Sequence, residues 1–354
     1  MVEQYVEKLK FQFERVAWYS HYINKDQAER LITSYEALPV DRRLHFFLSP
    51  AVFELVSRSQ ADSVAVLTDL CESEVLIANG RLAEGLTGVW SAMGDECLHR
   101  ETDGVVRTTA TKLDSIITVD FDSPQALRIS EKSPIMCQPP VPLSDRDRDI
   151  VVNKLQDALE YVDTVAPTLG RLIRNYTRAI RIRAASDNSA FASEHITDTV
   201  GEVRYLNPQT ERITVQRLAE ALIHESVHNL LSTYEYLEGQ FVLGGASLKY
   251  RPVSPWSGNP IPVASFIHAV LVWFTLFHFS LRELKYAGLD SEMRMEILRR
   301  RNHYASGFLV PARLSEYIRD LAYFNEKGIL TTIDEVQRLV NTKVREALLD
   351  LATA

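Results

Sequence analysis

Two histidines and a glutamate have the clearest chemical potential in this sequence. His224, Glu225 and His228 form the pattern His-Glu-x-x-His within LAEALIHESVHNLL, whose apolar residues recur at helical spacing. Side chains four residues apart lie on one face of a helix, so both imidazoles can bind one metal ion. Glu225 points about 100° away around the helix, which suits a place beside a metal-bound water or a hydrogen bond to a ligand. The pattern therefore predicts a metal site on a helix.

A metal site of this kind needs a third ligand, for which the sequence offers several downstream candidates. Glu235 lies about 10 Å further along the helix, so we expect it to support the site or to lie on the surface. His268 lies in a segment without charged residues, where a buried imidazole needs a polar partner, and a metal ion is one such partner. The other candidates are Glu238, His278, which we expect in the core, and His303.

The pattern of apolar residues predicts the elements that must position these groups. The first ~100 residues are predicted to form helices, as in Tyr5 to Trp18, and β-branched residues predict two or three strands between Gly104 and Ile129. Four prolines in residues 133–143 indicate a linker, and a capped helix is predicted to begin at Ser144.

Three further strands are predicted before the metal-binding helix. Arg178 to Ala184 alternates apolar and basic residues, which is typical of a strand with one solvated face, and shorter strands are predicted at 190–196 and 201–206. His195, within the second of these, either lines the site or has a structural role. After Pro208 the chain is predicted to be almost entirely helical.

Together these elements predict an α+β fold that is mainly α. A zincin-like metal-binding helix would lie next to a small β-sheet. The predicted organisation is a helical N-terminal region with a few strands (residues 1–132), the proline-rich linker (133–143) and the catalytic region with the HExxH motif (144–354).

Composition and charge narrow the classes of function. The net charge of −8 gives no general attraction to nucleic acid or to anionic lipid, so we expect neither as a partner. Three cysteines without a Cys-x-x-Cys pair, and an N-terminus without a signal peptide, indicate the cytoplasm. Residues 261–281 carry no charge and are long enough to span a bilayer, but a buried core helix explains them more simply because histidines lie inside the segment.

Three segments resemble a known family. HESVHNLL, YRPVSPWSGNPIPVASFIHAVLVWF and GILTTIDEVQRLV are similar to the HExxH-motif peptide-modification proteins of natural-product gene clusters, and the likeness covers residues 175–345. In that family a segment with Pro-Trp precedes a helix with a histidine, which implies His268 as the third metal ligand. A related group consists of iron(II)- and 2-oxoglutarate-dependent hydroxylases, so the resemblance implies hydroxylation at the β-carbon of an amino-acid side chain in natural-product biosynthesis.

The sequence departs from that family at one position relevant to 2-oxoglutarate. Family members tend to carry Asp-Pro-Arg-Pro where this chain has Asn-Pro-Ile-Pro at residues 259–262. An arginine that binds the distal carboxylate of 2-oxoglutarate must then come from elsewhere, and Arg251 or Arg301 of the cluster 299–301 are the candidates because a guanidinium binds a carboxylate through two hydrogen bonds. Tyr205 and Trp256 are candidates to contact the substrate.

Two other functions are compatible with the sequence. In a zinc-dependent peptidase or amide hydrolase the same histidines would bind zinc and Glu225 would be the general base. A degenerate relative would instead bind a peptide or a partner protein without catalysis. In each case we expect an amino-acid or peptide partner, free or attached to a carrier or leader, and a homodimer is possible.

Overall fold

The computed structural model describes residues 1–58, 62–131, 133–137, 139–185, 190–243, 250–286, 288–325 and 328–353. Helices hold 57% of the residues and strands 13%, which confirms a mainly helical α+β protein with small sheets. Its helices are α1 (Val2–Ile23), α2 (Lys25–Glu36), α3 (Val40–Leu48), α4 (Pro50–Arg58), α5 (Ser63–Asn79), α6 (Pro124–Leu127), α7 (Asp145–Val165), α8 (Pro167–Tyr176), α9 (Val215–Glu238), α10 (Val263–Glu283), α11 (Ser291–Ser306) and α12 (Gly328–Thr353), with a 3-10 helix at Leu314–Tyr317.

The strands form three sheets in the described residues. They are β1 (Gly88–Trp90), β2 (Glu96–Glu101), β3 (Gly104–Thr109), β4 (Thr111–Leu113), β5 (Ile117–Asp120), β6 (Ala179–Arg183), β7 (Ala192–Glu194), β8 (Glu202–Leu206), β9 (Val242–Leu243) and β10 (Tyr323–Phe324). The largest sheet has the order β4-β5-β6-β8-β7. β5, β6 and β8 are parallel, whereas β7 lies antiparallel at the edge beside β8.

Contacts divide the chain into two compact units. The first comprises Met1–Tyr161 and Arg171–Thr233, and the second comprises Val162–Gly170 and Tyr234–Ala354. The proline-rich residues 133–143, predicted as a linker, fall within the bounds of the first unit, and Lys132 and Gln138 lie outside the described residues.

Local sequence explains the helix and strand positions in the first unit. The helix predicted from Ser144 is confirmed as α7, and the Ser144 hydroxyl accepts a hydrogen bond from the backbone N–H of Asp147, as an N-cap residue does. The predicted strands at 190–196 and 201–206 are confirmed as the shorter β7 and β8. The hairpin formed by β1 with β2 was not predicted.

The prediction that strand β6 has one solvated face is wrong. All five of its residues are buried, including Arg181 and Arg183. Arg181 forms ion pairs with Asp120 of β5 and Glu202 of β8, which offset the cost of removing its charge from water. Alternation therefore identified the strand, but Arg181 faces ion-pair partners and Arg183 donates to the backbone carbonyls of Ala126 and Arg128 instead of facing solvent.

Helix α10 explains the uncharged segment in the second unit. Among the described residues it is the helix that is long and apolar enough to cross a membrane, which is weak evidence for a membrane span because core helices share these properties. It packs against α11 and α12, and more than half of its most apolar stretch is buried. The second unit thus has this helix in its core.

Candidate metal centre

Helix α9 holds the His-Glu-x-x-His motif near its middle. Thr214 precedes the helix and accepts a hydrogen bond from the backbone N–H of Arg217 through its hydroxyl oxygen, which caps the first turn. From Ala221 to Asn229 every residue of the helix is buried except His224 and His228, which are half-buried. The burial of the surrounding residues on all sides fixes the helix, and with it the place of the two histidines.

The structure brings His224, Glu225 and His228 together. One potential ligand atom of each lies within 4.8 Å of those of the other two, and no other group of this kind occurs in the described part of the chain. The imidazole centroids of His224 and His228 are 5.1 Å apart, and Nε2 of His224 lies 4.0 Å from Oε1 of Glu225. This arrangement suits one cation held by two imidazoles with a carboxylate beside it.

Burial changes the proton affinity of two of these groups in opposite directions. Desolvation, with a smaller effect of the Arg217 charge, lowers the pKa of His224 to about 4, so its imidazole is neutral at pH 7 and its lone pair is available to a metal. Desolvation raises the pKa of Glu225 to about 7, while a hydrogen bond from Ser193 acts against this rise. Glu225 is therefore able both to hold and to accept a proton near neutral pH.

Strand β7 and the residue that follows it contribute two polar side chains to the site. Ser193 donates a 2.6 Å hydrogen bond from its hydroxyl to Oε1 of Glu225. His195 follows the strand, its ring stacks on that of His228 with centroids 5.8 Å apart and planes 10° from parallel, and its Nε2 lies 2.9 Å from the hydroxyl of Ser232. Both of the roles left open for His195 fit this position. Ser193 was missed, although alternation along β7 could have placed it on the face of His195.

Tyr205 lies on β8, directly opposite Ser193 of the edge strand β7. The two residues are register partners on β8 and β7, so their side chains share the sheet face that carries the contact with Glu225. The Tyr205 side chain is fully buried and its hydroxyl has no hydrogen-bond partner in the described residues. Burial and the nearby Glu225 raise its pKa well above 10, which keeps the phenol protonated and able to donate a hydrogen bond.

Buried hydrogen bonds hold α9 against the strands in the first unit. Asn229, which is fully buried, accepts a 2.7 Å hydrogen bond from the backbone N–H of Gly201 and donates to the carbonyl of Glu202. The hydroxyls of Ser226 and Thr177 are 2.7 Å apart. These contacts from the residues beside the motif fix the rotation of the helix, and with it the direction of both histidines.

His268, which the family resemblance implies as the third ligand, lies on α10 in the second unit. It is not part of the group formed by His224, Glu225 and His228. Its Nε2 lies 3.0 Å from Oε2 of Glu235, and Oε1 of Glu235 accepts a hydrogen bond from the backbone N–H of Phe241. A carboxylate that orients an imidazole in this way is common around metal-binding histidines, so the role of His268 stays a prediction with a supporting partner.

The remaining predicted site residues also lie in the second unit. Arg251 is exposed, and Arg301 donates hydrogen bonds to the side-chain oxygen of Asn302 while partial burial lowers its pKa. Trp256 donates from Nε1 to the carbonyl of Tyr304 and its ring packs edge-on against Phe308. Their predicted roles toward co-substrate and substrate remain predictions. Comparison with models of known families and with curated protein sequences finds no match for this chain.

Proposed function

We propose that this protein is a cytoplasmic, non-haem iron(II)- and 2-oxoglutarate-dependent oxygenase that hydroxylates an amino-acid side chain at its β-carbon. The observation that carries the proposal is that His224 and His228 lie on one face of a helix, with the carboxylate of Glu225 close to both and held by Ser193 of the edge strand β7. The resemblance of this motif and of the later segments to peptide-modification proteins favours oxidation over hydrolysis. A zincin-like arrangement of the helix and the sheet is part of the same proposal.

The residues present fit a divalent cation. His224 is neutral at pH 7 because of its burial, and His228 presents a second imidazole on the same face. With His268 as the third ligand, the set would consist of three imidazoles, which iron(II), zinc and other divalent metals accept. Iron(II) would supply the activation of dioxygen, with 2-oxoglutarate as the source of two electrons.

The surrounding side chains would orient the ligands and handle protons. His195 stacks on His228 and limits the rotation of its ring, while its own Nε2 is held at the hydroxyl of Ser232. Ser193 holds one oxygen of Glu225, which leaves the second oxygen to bond a water molecule or a ligand imidazole. The Tyr205 hydroxyl remains a protonated donor for a polar atom of bound water or substrate.

The distal carboxylate of 2-oxoglutarate requires a positively charged side chain in addition to the metal. Arg251 and Arg301 are the candidates from the sequence. The structure adds Arg217, which lies seven residues before His224 on the same helix face, about 10 Å along the axis. Its guanidinium interacts electrostatically with His224 and is 55% exposed while paired with Glu220, so it can rotate to bind a carboxylate.

An anaerobic titration of the iron(II)-loaded protein with 2-oxoglutarate tests this proposal. We expect a weak visible charge-transfer band, and we expect His268→Ala to abolish it. Three variants, Arg217→Ala, Arg251→Ala and Arg301→Ala, test which arginine binds the distal carboxylate. The variant that lacks this arginine should need a much higher concentration of 2-oxoglutarate to form the band. Arg294→Ala, which changes an exposed arginine of α11, is the control and should form the band at the wild-type concentration. Iron binding without any band would contradict the proposal, because 2-oxoglutarate would then have no chelating site.

A zinc-dependent hydrolase of peptides or amides is the second candidate, and the environment of Glu225 favours it. A carboxylate with a pKa raised to about 7 beside the histidines suits a general base that takes a proton from zinc-bound water. In that case Glu225→Gln should abolish hydrolysis by the zinc-loaded protein while zinc stays bound. Retention of hydrolysis in this variant, or its absence in the wild type, would exclude this candidate.

A further inference from the structure

A groove in the second unit is lined by none of the residues assigned to the candidate metal centre. It has a volume of about 960 Å³. One wall is a stripe of α12 from Thr331 to Arg345, in which the lining residues follow one another at helical spacing. Residues 309–313 and Arg319 form the other wall. The stripe is about 20 Å long, which corresponds to six residues of extended peptide.

The segment facing α12 is fixed by hydrogen bonds. Gln337, which is 6% exposed, donates from its side-chain nitrogen to the carbonyls of Phe308 and Ala312, and its side-chain oxygen accepts from the backbone N–H of Leu314. Asn341 donates to the carbonyl of Phe308 as well. The groove is therefore preformed, and a ligand would not have to order this wall when it binds.

The groove is basic in a chain whose net charge is −8. Four arginines line it together with Asp334 and Glu335, and both acidic groups already have partners. Asp334 accepts hydrogen bonds from the backbone N–H and the hydroxyl of Ser315, and Glu335 lies 3.9 Å from Arg338. Arg313 and Arg345 are exposed, and neither side chain has a hydrogen-bond or ion-pair partner among the described residues.

We propose that this groove binds an acidic peptide segment in an extended conformation. Guanidinium groups bind carboxylates through paired hydrogen bonds, and Arg313 and Arg345 are available for this. The apolar residues Leu309 to Ala312 on the same wall suit apolar side chains that alternate with the acidic ones. The proposal rests on the groove alone and does not depend on the metal site.

The lining favours a peptide over a nucleic acid. Single-stranded nucleic acids bind where a basic track is combined with aromatic side chains on which the bases stack. The lining residues include no aromatic side chain, and Asp334 and Glu335 would repel a continuous phosphate backbone. Carboxylates spaced along a peptide can instead face the arginines and avoid the two acidic groups.

Fluorescence anisotropy of the full-length protein with a labelled peptide of alternating glutamate and leucine tests this proposal. We expect saturable binding that weakens as salt is added, and about tenfold weaker binding by the double variant Arg313→Ala/Arg345→Ala, since two exposed charge pairs are lost. The matched control is Arg294→Ala/Arg299→Ala, which removes the same charge from exposed positions of α11 outside the groove. Circular dichroism would establish that both variants fold.

Three outcomes would overturn the proposal. The first is that a peptide with glutamine in place of glutamate binds equally well. The second is that the groove variant and the control variant bind the acidic peptide with the same affinity. The third is that a single-stranded oligonucleotide of equal charge binds more tightly than the peptide and loses affinity in the groove variant, which would assign the groove to nucleic acid.

Discussion

At the scale of single residues, Glu225 shows how the site combines burial with reactivity. Its side chain is almost fully buried, and one oxygen accepts a hydrogen bond from Ser193. Burial of a carboxylate disfavours its charged form, which explains why its pKa is raised from 4.5 to about 7. A buried carboxyl of this kind lowers the stability of the fold at pH values where it is ionised. Residues that act in catalysis commonly have this property.

Glu225→Gln should therefore stabilise the metal-free protein in a pH-dependent manner. A carboxyl whose pKa is raised on folding lowers stability as pH rises from 4.5 to about 7, because the unfolded chain releases its proton in this range while the buried carboxyl keeps it. The increase in the free energy of unfolding caused by the substitution should be small at pH 5 and should be about 3 kcal/mol at most at pH 8. Urea unfolding with a chelator at both pH values measures it, with the exposed Glu211→Gln as the control. Equal effects of Glu225→Gln at the two pH values would contradict this account.

At the scale of elements, the position of helix α9 depends on its polar contacts with the strands. Asn229 lies one residue after His228 and bonds the backbone of Gly201 and Glu202. Gly201 has a positive φ of 91°, a conformation that favours glycine, and this turn presents its N–H to the asparagine. The turn at Gly201, immediately before β8, thus helps to set the direction in which the two histidines point.

Asn229→Ala should weaken both the fold and metal binding. The substitution leaves the buried N–H of Gly201 without an acceptor, at a cost of about 1–3 kcal/mol. The rotation of α9 about its axis is then less well fixed, so the two histidines are held less precisely and the affinity for iron(II) or zinc should fall as well. Thermal unfolding and metal titration measure the two effects, and Asn153→Ala on the exposed face of α7 is the control. Unchanged metal affinity would show that this contact does not position the histidines.

The turn between β1 and β2 depends on a second buried carboxylate. Asp95 lies 3.0 Å from Nε2 of His45 on α3, 2.7 Å from Nζ of Lys112 on β4, and accepts a hydrogen bond from the hydroxyl of Ser91. Although burial acts in the opposite direction, these partners hold the pKa of Asp95 below its usual value of 3.8. The carboxylate therefore joins a helix, a turn and a strand in its ionised form.

Asp95→Asn should lower the free energy of unfolding by about 2–3 kcal/mol at pH 7. A carboxylate whose pKa is lowered on folding contributes its full stabilisation above the unfolded value of 3.8 and loses it as pH falls below that value. The difference in the free energy of unfolding between wild type and variant should therefore become smaller below pH 3.8. Urea unfolding across this range, with the exposed Asp103→Asn as the control, measures it. A constant difference down to low pH would contradict the assignment.

At the scale of the whole molecule, the sequence predicts the helices and strands better than it predicts the contacts between them. Helical spacing located α7 and α9, and the motif located both histidines, because these patterns are local. The burial of Arg181 was not predicted, since it depends on Asp120 and Glu202, which strand pairing brings together from distant positions. Alternation along β7 places Ser193 on the face of His195, but its contact with Glu225 also joins distant positions in the chain.

Charge illustrates the same limit. The net charge of −8 correctly describes the chain as acidic, yet it conceals a groove with four arginines, two of which lie on α12 and two within residues 309–319. Composition averages over the surface, whereas binding depends on local potential. Statements about partners that are drawn from net charge therefore apply to the surface as a whole and not to a single groove.

The central claim is that His224 and His228 hold a metal ion, and metal analysis after anaerobic loading with iron(II) and gel filtration tests it most directly. We predict stoichiometric iron in the wild type, its loss in His228→Ala, and its retention in His303→Ala, which removes an exposed histidine of α11. The same loading with zinc would test the claim independently of redox chemistry. Equal metal content in His228→Ala and the wild type, in a variant that remains folded, would contradict the account.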